Sequence, residues 1–119
     1  MNEYIEIEKI LGLSFKNRTL LETAFNHSSL KNDDIGIESN EVLELIGDSV
    51  MYFLISTYVY ENNESNMNSG EISIIRSNII SNETFANFAN KLQLSKFIKL
   101  SKGQKKVGIS NSMLSNCFE

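Results

Sequence analysis

Residues 40–50 read NEVLELIGDSV and carry three acids at helical spacing: Glu41, Glu44 and Asp48. On a helix, Glu44 and Asp48 lie one above the other with Cβ atoms about 5–6 Å apart, and Glu41 stands on the adjoining surface. Like charges so placed repel by a few tenths of a kcal/mol. The surrounding stretch is otherwise apolar, where unpaired charge is costly to bury. A cation would offset both costs, and a hard divalent ion such as Mg²⁺ takes carboxylate oxygens in this way. Gly47 lies among these acids. A glycine inside a helix costs about 1 kcal/mol relative to alanine, so another group is expected to approach the backbone there. The competing reading is the solvated acidic edge of an amphipathic helix, and spacing alone leaves both open.

Charge is unevenly placed along the chain. Residues 1–83 hold 14 acids against 5 bases, whereas residues 84–118 hold six lysines (91, 96, 99, 102, 105 and 106) and no acid, so the net charge of −4 hides an acidic front and a basic back. Acids can collect a divalent cation and lysines can collect phosphate; two solvated faces are the alternative. Other chemistries are excluded. The single cysteine, Cys117, permits neither an internal disulfide nor a cysteine-based zinc site, and beside Phe118 it reads as a small core residue. The single histidine, His27, is read as structural, hydrogen-bonding with Ser28 or Ser29 at the start of a loop.

The elements that must position these groups are helical. A chain of 119 residues, 41% apolar and 22% charged, without proline, is expected to form one globular domain with a real core. Tyr4, Ile5, Ile7, Ile10 and Leu11 begin an amphipathic helix that Gly12 can stop, and Asn17 can cap a second carrying Leu20, Leu21, Ala24 and Phe25. Residues 28–38 read as loop. From residue 40 to about residue 60 the sequence is apolar nearly all round, which predicts a helix buried at the centre of the domain. Ser69 is the expected cap of a helix from 70 to about 80, and Ser81 or Asn82 of the next. Residues 102–111, KGQKKVGISN, read as a loop, and a last helix begins near Ser112 and stops abruptly at Glu119, as if cut within an element. No stretch approaches the roughly 18 apolar residues of a membrane span. The N-terminus has acids where a signal peptide needs bases, so a soluble, cytoplasmic protein of the all-α class is expected.

NEVLELIGDSV resembles the signature helix of the ribonuclease III family, whose usual form is N-E-R-L-E-F-L-G-D-S/A-V. The resemblance covers nearly the whole chain. KILGLSFKNRTLLETAFNHSS (9–29) is similar to the family's opening, and GEISIIRSNIISNETFANFANKLQLSKFIKL (70–100) to its middle. SKG (101–103) is similar to its G-K-G, and MLSNCFE (113–119) to its second acidic motif, I-L-A-D-A-F-E. It implies an all-α nuclease domain over residues 1–119, without the double-stranded-RNA-binding domain that the family usually adds. It further implies an endonuclease that is a homodimer. Such an enzyme hydrolyses double-stranded RNA, including rRNA and mRNA precursors, with Mg²⁺ (Mn²⁺ substituting), leaving 5′-phosphate and 3′-hydroxyl ends. Glu44, Asp48, Asn116 and Glu119 match metal-site positions, with Asp48 and Glu119 catalytic, and Glu41 and Glu71 match supporting acids. Leu45 matches an aromatic residue that fills a socket on the other subunit, and Lys102, Lys105 and Lys106 are candidate RNA phosphate contacts. The chain departs from the pattern at Asn116, usually Asp, which keeps a carbonyl donor but removes a charge. It departs also at Val42, usually Arg, at Leu45, and at a shorter loop over 104–112. A catalytically silenced member acting as a dimerisation or RNA-binding module is the alternative.

Overall fold

The computed structural model describes residues 2–63 and 65–119. Side chains that close first-turn amides set most of the helix starts. Helix α1 spans Asn2–Leu11, and Gly12 leaves it at φ +70, a conformation natural to glycine. The Asn17 Oδ1 accepts from the Leu20 N–H (3.1 Å) and starts α2, Arg18–Ala24. A 3-10 turn at Ser28–Asn32 leads to α3, Glu41–Glu61. Helix α4 covers Ser69–Ile79 and α5 Asn82–Lys91; a 3-10 turn at Leu94–Phe97 precedes α6, Lys102–Val107, and α7 covers Asn111–Phe118. Ser81 caps α5, one of the two residues expected, and Ser110 caps α7. Among the described residues there is no strand, only an isolated bridge between Asn26 and Lys99, and the all-α reading stands.

The core draws on α1, α2, α5, the second 3-10 turn and α7: Ile7, Leu21, Phe25, Ala86, Ala89, Leu94, Phe97 and Leu114 pack together, with Phe118 and Cys117 against them. Burial pushes the Cys117 thiol up to about 12, and its packing against the core agrees with the small core residue expected. Helices α5 and α7 are locked in register by the buried Ser115, whose hydroxyl bonds to Asn82 Oδ1 (3.0 Å).

Four expectations are corrected. The long helix α3 is not the buried centre of the chain: only Gly47 and Val59 on it are buried, while Leu45 (69%), Phe53 (67%), Tyr58 (66%) and Tyr60 (73%) are exposed. With α4 packed along it, α3 extends from the body, and the radius of gyration is 16.2 Å against about 13.5 Å for a compact chain of this length. Second, α3 is long and apolar enough to cross a membrane, with a mean hydropathy of 1.4 over 18 residues; its few polar residues interrupt an unbroken apolar run without lowering the average much. Third, α6 forms inside the stretch read as loop. Fourth, Asn68 rather than Ser69 caps α4, accepting from the Glu71 N–H (3.0 Å).

His27 ties the turn after α2 together. The Ser29 N–H donates to its Nδ1 (3.1 Å), and the His27 N–H donates to the Lys99 carbonyl (3.0 Å). Burial lowers the His27 pKa from 6.5, opposed in part by the charge of Glu41. The unfolded chain therefore takes up this proton first. The stability conferred by the neutral ring is present above about pH 6.5 and lost as pH falls through the folded value. Melting temperatures between about pH 7.5 and 5.5 should fall more steeply for the wild type than for His27→Asn, whose amide oxygen still accepts. Parallel slopes would show that His27 does not couple to folding.

Candidate metal and nuclease site

The start of α3 is fixed by Asn40, which is buried. Its Nδ2 donates to the Ala24 carbonyl (3.1 Å) and its backbone N–H to the Asn26 carbonyl (2.9 Å), so α3 leaves directly from the end of α2. Further along α3, at Gly47, the end of α7 crosses it. A Cβ built on Gly47 would stand 1.8 Å from the Glu119 carbonyl oxygen and 2.4 Å from its carbonyl carbon. The close approach expected at Gly47 is therefore the backbone of Glu119. The same crossing brings Glu44, Asn116 and Glu119 to the wall of one cavity of about 380 Å³, otherwise lined mainly by apolar side chains such as Leu21, Phe25, Leu43 and Phe118.

The electrostatics follow from that crossing. Burial first, and then the charges of Asp48 and Glu44, push the Glu119 carboxyl up to about 7. Glu44 is raised by burial and by Glu41 and Asp48. Glu41 is held below the usual range, because the Ser39 hydroxyl (2.9 Å) and the Lys31 ammonium (3.2 Å) donate to its carboxylate. Glu41 thus has its own cation. Among the described residues no Lys, Arg or His lies within 4.0 Å of the carboxylates of Glu44, Asp48 or Glu119.

The donor set is carboxylate and amide oxygen, which suits a hard divalent cation and not a soft one. Glu44 and Glu119 are raised by burial first and by their acidic neighbours second, and a bound cation would offset both costs. Among the described residues, no three acidic, histidine or cysteine side chains stand together as a ready cage. In donor type alone, the oxygens of Glu44, Asp48, Asn116 and Glu119 fit a hard divalent ion. Glu71 stands exposed in the first turn of α4, the helix packed along α3. Leu45 points to solvent, and Lys102, Lys105 and Lys106 lie on α6, each exposed. Sequence reasoning missed Asn40, Ser39 and Lys31 as the residues that hold this end of α3. The polar pair Asn40–Glu41 at the helix start and the lone Lys31 are the only signals for them.

A family profile described as Ribonuclease-III-like matches residues 17–119. The chain belongs to the ribonuclease III family. It is 42% identical over 110 residues to Ribonuclease 3 of Clostridium beijerinckii, covering 91% of this chain and 47% of that one. It is 37% identical over 121 residues to Ribonuclease 3 of Clostridium kluyveri, covering 100% and 49%. The chain spans about half the length of these curated relatives. Among solved structures, it superimposes with a TM-score of 0.86 and 30% identity on a nuclease domain of ribonuclease III from Campylobacter jejuni, covering 95% of this chain and 77% of that one. That domain is described as having structural flexibility in a region involved in dimer formation. The family motifs and the independent helical reading thus converge on one fold.

Proposed function

We propose that this chain is the nuclease part of an endoribonuclease that hydrolyses double-stranded RNA, with Glu44, Asp48, Asn116 and Glu119 holding a divalent cation, Mg²⁺ with Mn²⁺ as substitute. The observation that carries the reading is the seating of Glu119 over Gly47, beside Glu44 and Asp48, with no basic side chain paired to any of the three acids among the described residues. Such a cation, when bound, supplies Lewis-acid stabilisation of the charge that grows on the non-bridging oxygens of a phosphodiester and makes water a better nucleophile at neutral pH. The protein's own part is placement. Gly47, by lacking a Cβ, admits the end of α7, and the Ser115–Asn82 bond holds α7 in register on α5. Asn116 adds a neutral carbonyl donor without a further negative charge. In this reading the enzyme works in the cytoplasm on rRNA and mRNA precursors. The test is gel cleavage of a long RNA duplex by the complete protein, with and without Mg²⁺. Metal-dependent cuts with 5′-phosphate and 3′-hydroxyl ends are expected. A protein that binds duplex but leaves it intact in both Mg²⁺ and Mn²⁺ would overturn the reading.

The exposed face of α3 belongs to the same proposal. Leu45, Phe53 and Tyr58 are each about two-thirds exposed on α3, and a second copy is proposed to cover the side that carries Leu45. Leu45→Asp should convert a dimer to a monomer in sedimentation, because it would bury an unpaired charge in a partner's socket. Equal masses for the two proteins would count against Leu45 in the interface. A wild type that is monomeric and partitions into lipid vesicles would assign α3 to a membrane instead.

A further inference from the structure

Helix α6 is the least self-sufficient element of the fold. It has six residues and buries none of them, and a helix so short does not persist in water unaided. Hydrogen bonds from a distant part of the chain hold it. The Ser101 N–H donates to the Ser29 hydroxyl (3.0 Å) in buried surroundings, and the Lys102 N–H donates to Asp33 Oδ2 (3.0 Å). Ser101 in turn caps the helix from its own hydroxyl, accepting from the Gln104 N–H (3.1 Å). Three of the amides that a helix start leaves without partners are thus met, two of them by side chains about 70 residues earlier in sequence. The loop that supplies them is also the one that fixes α3. Bonds of Asn26 and Asn40 tie its two ends together, and the Lys99 N–H donates to the Phe25 carbonyl (2.8 Å) just before it.

What α6 presents is a basic face. Lys102, Lys105 and Lys106 follow the i, i+3, i+4 spacing that puts side chains on one side of a helix, and all three are exposed and without an acidic partner within 4.0 Å among the described residues. A row of free ammonium groups suits the phosphates of a nucleic-acid backbone, and duplex RNA is recognised largely through phosphates and 2′-hydroxyls. We infer that Ser29 and Asp33 are positioning residues for substrate binding: they fix α6, and with it the Lys102–Lys105–Lys106 face, relative to the acids of α3. This inference rests on the reading of the chain as a double-stranded-RNA nuclease.

The experiment is steady-state cleavage of a long RNA duplex by the complete protein at saturating Mg²⁺, over a range of salt, together with equilibrium binding of the same duplex in EDTA. Asp33→Ala and Ser29→Ala should raise KM by about tenfold, equivalent to about 1.4 kcal/mol, with kcat within about twofold of wild type. Asp33→Asn keeps an oxygen acceptor and should restore KM. Replacing Lys102, Lys105 and Lys106 with alanine should raise KM at least as much and lower the salt slope by about one unit for each phosphate no longer neutralised. Adding Asp33→Ala to that triple variant should change KM little further, because its effect runs through the lysines. A merely structural role would lower kcat and melting temperature together and would act equally with or without the lysines; that result overturns the inference, as does a triple variant with wild-type KM and salt slope. A wild type that cuts no duplex would overturn the nuclease reading alone. The binding measurement then decides the inference separately, and equal affinities for wild type, Asp33→Ala and the triple variant would refute it.

Discussion

Glu119→Gln is expected to lower duplex cleavage by the complete protein by at least about 100-fold at fixed millimolar Mg²⁺ and, in EDTA at pH 8, to raise its melting temperature. The two effects have one cause. Glu119 is pushed up to about 7 by burial and by the charges of Asp48 and Glu44, so the folded protein holds this proton more tightly than the unfolded chain does. The associated stability is fully present below about pH 4.5, the ordinary glutamate value, and is lost as pH rises through about 7. Above that, the metal-free fold carries a partly buried charge and its repulsion with Asp48 and Glu44, both of which glutamine removes. A divalent ion relieves the same repulsion, and a ligand that binds only the native state adds about 2.7 kcal/mol at a hundredfold excess over Kd. Wild type should therefore gain melting temperature from Mg²⁺, more at pH 8 than at pH 6, because the proton competes for the same oxygens. Glu119→Gln should gain little at either pH. The activity loss is set at about 100-fold because even outer-shell partners of a metal site are worth about 10–100-fold, and Glu119 is proposed as a direct ligand. Melts that do not respond to Mg²⁺ in either protein, beside unchanged cleavage, would remove Glu119 from the site.

The acids and Gly47 were legible in the sequence because a 3.6-residue period fixes which side chains share a face, and because an interior glycine needs a reason. The helix starts differ in how well they could be read. Asn17 stood alone as a cap and was found; at Asn68 and Ser69 two competent caps adjoin, and only the backbone path chooses between them. The environment of α3 was not legible. A helix apolar nearly all round must be covered, but composition does not say whether the cover is its own chain or another molecule, and here its own chain buries only Gly47 and Val59. Helix α6 carries no apolar stripe to announce it, and two of its first amides bond to Ser29 and Asp33, far away in sequence. Glu71 joins the acids by resemblance alone: it lies far from them in sequence, in the first turn of α4, and no periodicity links the two helices.

Gly47→Ala should cost far more activity than stability. Two opposed terms set the stability. Alanine in a helix interior is favoured over glycine by about 1 kcal/mol, whereas overpacking a fitted contact costs about 1–3 kcal/mol. Steric cost prevails, because the new Cβ would stand 1.8 Å from the carbonyl oxygen of Glu119, backbone that cannot rotate aside as a side-chain tip would. The end of α7 must lift off α3. The net destabilisation is then at most about 2 kcal/mol, a fall of no more than several degrees in melting temperature for a domain of this size. Lifting α7 carries Asn116 and Glu119 away from Glu44 and Asp48, and a displacement of about 1 Å at a reacting centre can cost about 100-fold. The expected result is cleavage reduced by about that factor, with a smaller rise in melting temperature on adding Mg²⁺ than the wild type shows. Gly103→Ala supplies the stability control: nothing lies within 4 Å of a Cβ built there, so the same substitution inside α6 should raise the melting temperature through helix propensity alone. If Gly47→Ala instead cleaves duplex at the wild-type rate with an undiminished response to Mg²⁺, the end of α7 is not seated on Gly47 in solution, and the proposed metal site must be built without Glu119.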